Sequence, residues 1–131
     1  MDDDDFLRSL EDCTLPPQHF NHAGHIRLAW LQLRRLPFEQ AVERTCTLIR
    51  AYAAHLGAAG KFHYTITAAL MHLMREAGAC EAQLGHEAFL VRAAPLLADA
   101  RGGLALHYSD ELLAGSAARE AFAAPDRMPL P

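Results

Sequence analysis

Long apolar runs are missing from this chain. No stretch approaches the roughly 20 uncharged residues that a membrane-spanning helix needs, which argues against a membrane protein. Blocks of Lys and Arg are missing too. The formal net charge is −4, and Arg27, Arg34, Arg35 and Arg44 are scattered in the manner of solvated cations, which disfavours nucleic acid as a main partner. The three cysteines, Cys13, Cys46 and Cys80, contain no C-x-x-C pair and are odd in number, so they read as free thiols of a reducing compartment. The start, Met1-Asp2-Asp3-Asp4-Asp5, lacks the positive charge that opens a secretory signal. A cytoplasmic protein is therefore expected. There is no Gly-rich phosphate loop, G-x-S-x-G elbow, zinc-finger spacing or H-E-x-x-H, which lowers nucleotide hydrolysis and serine-type acyl transfer as candidate activities. Strand alternation and internal repeats are also absent.

Hydrophobic residues make up 51% of the 131 residues, enough for a folded core. The periodicity is helical throughout and predicts an all-α protein: one domain over residues 1–131, a compact up-down bundle of about four main helices with short extra helices at the C-terminus. Residues 1–19 form an N-terminal arm with a frayed acidic start and a short helix carrying Phe6, Leu7 and Leu10, 20–94 carry the main helices, and 95–131 are irregular or in short helices. Asn21 is placed to cap a first main helix ending near Leu36. Its core stripe is read as His22, Ile26, Ala29, Leu33 and Leu36, with His25 on the flank. Gly24 leaves room there for close approach of another backbone. Leu28 and Leu31 then fall on the outer side and would suit a homodimer surface. A second helix is predicted over 38–56, with Gly57 as its left-handed stop. A third covers 62–77 and a fourth 81–94, with Pro95 breaking or restarting it. Arg101-Gly102-Gly103 reads as a turn, and Ser109 as the cap of a short helix.

Eight histidines are the one compositional oddity. His22 and His25 open the first main helix, and His63 opens the third. Short connections make those two helices parallel, so their N-terminal ends should meet at one end of the bundle. Three imidazoles with an open position suit a divalent transition metal (Zn, Fe, Cu or Ni), and form a catalytic rather than a closed structural set. Thr67 and Thr65 are possible partners for the ligand ring nitrogens. His107, Tyr108, His19 or a water would supply the fourth ligand, and Thr67, Tyr108 and His107 are the candidate catalytic groups. The bland alternative makes the histidines core polar groups bonded to each other, to Thr67 or to carbonyls. His72 and His86 read as surface residues.

Phe20-x-His22-x-x-His25-Ile26-Arg27-Leu28-Ala29-Trp30, Phe62-His63-x-Thr65-Ile66-Thr67, Tyr108-Ser109-x-Glu111 and the closing Pro125-Asp126-x-x-Pro129-Leu130-Pro131 together resemble a family of small uncharacterised bacterial proteins. That family often has an acid where Tyr64 stands here. The resemblance implies no known activity. Two functions follow from the residues: a metal-dependent enzyme on a small molecule, or a metal-free helical protein, either an acid/base enzyme or a binding and dimerisation module.

Overall fold

A computed structural model describes residues 1–131. It is all-helical and contains no strand. No helix is long and apolar enough to cross a membrane. The chain divides into two compact units, Met1–Phe62 and His63–Pro131.

The first unit holds α1 (Asp3–Glu11), α2 (His22–Arg35) and α3 (Phe38–His55). The acidic start is not frayed. The Asp2 carboxylate accepts from Asp5 N–H at 2.8 Å and caps α1, whose Phe6 and Leu10 are each 1% exposed. Three of the supposedly scattered arginines clasp this helix: Arg27 pairs with Asp3, Arg35 with Asp4 and Arg44 with Glu11, at 2.8, 3.2 and 3.0 Å. Arg27 also lies over the Phe6 ring, and Arg34 over that of Trp30. Only Leu36 and Pro37 separate α2 from α3, which pack on each other as an αα-hairpin. The expected caps are in place: Asn21 Oδ1 accepts from Gly24 N–H at 3.0 Å, and Gly57 takes φ +71° after α3.

The orientation expected for α2 is overturned. Leu28 and Leu31 are buried, at 0% and 6% exposure, while His22 and His25 are exposed. From Leu28 to Leu33 the helix is buried on every side, so its apolar residues support two opposite stripes equally well. The first turn decides between them. A Cβ at Gly24 would lie 2.6 Å from the main-chain oxygen of His19, so Gly24, not the histidines, faces inward. The close approach expected at Gly24 is real, and the dimer surface expected at Leu28 and Leu31 is not.

The second unit is built on α4 (Tyr64–Glu76), followed by α5 (His86–Arg92), α6 (Ala94–Ala98), α7 (Ala100–Ala105), α8 (Asp110–Ala114) and α9 (Ser116–Glu120). The single fourth helix expected over 81–94 is replaced by α5 and α6. Gly78 at φ +105° and a tight turn ending at Glu81 precede that range, a second turn ending at Leu84 takes up its start, and Pro95 restarts the chain in the first turn of α6. Arg101-Gly102-Gly103 is helical rather than a turn, because the Asp99 carboxylate accepts from Gly102 N–H at 3.0 Å and caps α7. Ser109 caps α8 as expected, its hydroxyl accepting from Leu112 N–H. Ala69, Leu104 and Tyr108 form the buried centre, with Ile66, Leu70, Leu73, Leu112, Leu113 and Leu130 around it.

Candidate functional site

Three of the predicted site residues lie in two different environments. His22 and His25 stand in the first turn of α2, in the first unit. His25 Nδ1 donates to the Asn21 carbonyl at 2.8 Å, and its ring is stacked on Phe20, with centroids 4.0 Å apart. The residue remains exposed overall, yet the ring has lost solvent on its Phe20 face. That desolvation is the main reason its pKa lies below the ordinary 6.5. The Asn21 bond works the other way, and the neighbouring His22 adds to the depression. His25 is therefore a neutral imidazole at neutral pH, with Nε2 as its lone-pair atom.

His63 belongs to the second unit and is the N-cap of α4 rather than a member of its first turn. Its Nδ1 accepts from Ile66 N–H at 3.1 Å, which replaces the hydroxyl or carboxylate that usually caps a helix. Its Nε2 donates to the Leu113 carbonyl at 2.7 Å. A neutral imidazole has one donor and one acceptor. Both are engaged.

The remaining candidates in this unit serve the same end. Thr67 does not touch the His63 ring: its hydroxyl donates to the His63 main-chain carbonyl at 2.9 Å, one turn back. Thr65, 0% exposed, donates to the Ala121 carbonyl at 2.9 Å and accepts from Ala123 N–H at 3.0 Å. Tyr108 donates to the Ala123 carbonyl at 2.7 Å; burial, helped by the Asp126 charge, pushes its phenol up to about 12. His107 Nδ1 donates to the Met128 carbonyl at 2.9 Å. These buried side chains hold residues 121–131 as a strap. Asp126 clamps it from the other side, accepting from both the main-chain N–H and the hydroxyl of Ser109. Those bonds hold the Asp126 carboxyl below the usual carboxylate range.

No family model, curated protein or solved structure matches the chain. The site is therefore read from its own chemistry. Within neither unit do three His, Cys, Asp or Glu side chains group as a metal-holding set. What the second unit does contain is a hydrogen-bonding wall of side chains facing a length of main chain. Sequence reasoning located most of these residues by type; Asp126 entered only within the closing Pro125-Asp126 motif, with no role assigned to it.

Proposed function

We propose that the chain is a metal-free helical binding and dimerisation module in which His63 and His107 are structural polar groups. One observation carries this: the His63 ring spends its single lone pair on Ile66 N–H and its single N–H on the Leu113 carbonyl. A metal at Nδ1 would have to displace the helix cap, and one at Nε2 would have to displace the Leu113 bond. The spacing of Cys13, Cys46 and Cys80, odd in number and without a C-x-x-C pair, supports a reducing, cytoplasmic setting for the module.

The test compares His63→Ala with His63→Asn in the full chain, together with metal analysis of untagged protein. On this reading the alanine variant loses both bonds, about 2 kcal/mol in all. Asparagine restores the cap, being among the best N-cap residues, and recovers part of that loss. Stoichiometric metal that disappears with His63→Asn as fully as with His63→Ala would overturn the proposal.

A second reading keeps a divalent transition metal, serving an enzyme that acts on a small molecule, at His22 and His25. It is favoured by the bond from His25 Nδ1 to the Asn21 carbonyl, since metal-ligating histidines regularly donate their second nitrogen to such an acceptor. Zinc titration of wild type against His25→Gln, followed by calorimetry, separates the two readings.

A further inference from the structure

The strap is held chiefly by its main chain. Thr65 reads the Ala121 carbonyl and the Ala123 N–H, Tyr108 reads the Ala123 carbonyl, His107 reads that of Met128, and Arg75 reaches that of Pro131 at 3.3 Å. The Arg127 N–H in turn donates to the His107 carbonyl at 3.0 Å. A row of fixed side chains that satisfies the carbonyls and amides of an irregular segment is how an extended peptide is recognised by a partner. Meanwhile the Phe122 and Met128 side chains stay exposed, at 45% and 47%. The strap leaves α9 at Ala121, whose backbone is extended at φ −147° and ψ 165°.

We propose that this wall is a peptide groove, filled in the single chain by its own residues 121–131 and filled in a dimer by the same residues of a second copy. The proposal rests on the binding and dimerisation reading above and names its partner. The occupant must carry more than a backbone: Asp126 meets Ser109 through both carboxylate oxygens, and Leu130 packs on the Tyr108 cluster. An aspartate and a leucine at that spacing, after two residues that present main chain to Thr65, are supplied by another copy of this chain. Exchange of an identical element is a low-cost route to a dimer, because every contact of the closed monomer is reused. Closure in cis benefits from an effective concentration on the order of millimolar, so exchange becomes visible as protein concentration approaches that range.

The test uses the full chain in two versions, Thr65→Val, which damages the groove, and Asp126→Ala, which damages the strap. They are mixed in equal amounts at rising concentration and read by native mass spectrometry. In a dimer joined through one strap, the mixed pair has an interface without a lesion whereas either homodimer's carries one, so the singly joined heterodimer should exceed either homodimer by about fivefold or more, the value of one hydrogen bond. A mixture and a wild type that both stay monomeric to millimolar concentration overturn the proposal. Should Thr65→Val lose its helical circular dichroism, a fluorescein-labelled peptide of residues 121–131 is added to the Asp126→Ala chain. Saturable binding that a further Tyr108→Phe weakens about fivefold supports exchange, and no binding overturns it. Stoichiometric metal in the purified protein would sink the histidine reading alone, so the two failures are told apart.

Discussion

Ser109 and Asp126 are joined twice, the main-chain N–H to Oδ1 at 2.8 Å and the hydroxyl to Oδ2 at 2.5 Å. The same hydroxyl accepts from Leu112 N–H at 3.2 Å, so the cap of α8 and the anchor of the strap share one atom. Both bonds from Ser109 favour the ionised carboxylate and lower its pKa in the folded chain. A depressed carboxylate contributes stability that is fully present above its unfolded pKa and is lost as pH falls through the folded one. Asp126→Asn should therefore melt below wild type at neutral pH. The gap should close in acid, below about pH 4. Melting curves across that range are the check, and a gap independent of pH would count against the anchor.

Thr65 sits at 0% exposure with its hydroxyl serving two strap groups. Thr65→Val keeps the shape and leaves the Ala121 carbonyl and Ala123 N–H without that partner, at a cost of about 2–4 kcal/mol. Thr65→Ser keeps the hydroxyl and should recover most of the loss. Urea unfolding of the three proteins decides it, with equal midpoints for valine and serine as the contrary result.

Gly24→Ala tests the close approach of α2. Alanine is normally preferred to glycine inside a helix by about 1 kcal/mol, yet here the added Cβ meets the His19 main-chain oxygen at 2.6 Å. A backbone atom cannot swing aside as a side-chain tip can. The expected sign is destabilising, by about 1–3 kcal/mol, and a stabilised variant would show that the two segments separate freely.

For α1, the apolar contact should outweigh the ion pairs. The acids of the three cross-helix pairs are more than half exposed, at 52%, 75% and 52%, so each pair contributes about 0–1 kcal/mol at most. Burial of Phe6 at 1% exposure places Phe6→Ala at about 3–5 kcal/mol. The triple variant Asp3→Asn, Asp4→Asn, Glu11→Gln should therefore lose less stability than Phe6→Ala alone, as denaturant unfolding would report.

His25 should titrate below 6.5 in an NMR pH series. Its depressed pKa means that folding favours the neutral ring, so its contribution fades as pH falls below 6.5. Phe20→Ala returns solvent to the ring face and His22→Ala removes a neighbouring charge; each should move the midpoint upward.

Local features were legible from sequence because they are decided within a turn. The Asn21 cap, the Gly57 stop, the Ser109 cap and the tight approach at Gly24 all depend on neighbours a few residues away. The face of α2 was not legible, since Leu28 to Leu33, apolar but for Gln32, is buried on every side and the tie is broken by a His19 carbonyl outside the helix. Nor was the role of the acidic start: Arg27, Arg35 and Arg44 reach partners 24, 31 and 33 positions earlier, beyond any periodic signal. His63 was found by residue type, and its neighbour Thr65 with it. Their partners were not, because main-chain carbonyls leave no mark in a sequence.

Thr65 meets Ala123 across 58 positions of chain. During synthesis at 5–20 residues per second, the threonine therefore waits on the order of several seconds before its partner is made. The hydrogen bonds of α1, α2 and α3 close among residues already released, whereas Thr65 of α4 meets Ala121 and Ala123 only once residues 121–131 follow. On the exchange proposed above, nascent chains that stall between those two moments share one defect, an unfilled groove, and crowded polysomes place the groove of one chain beside the finished strap of another.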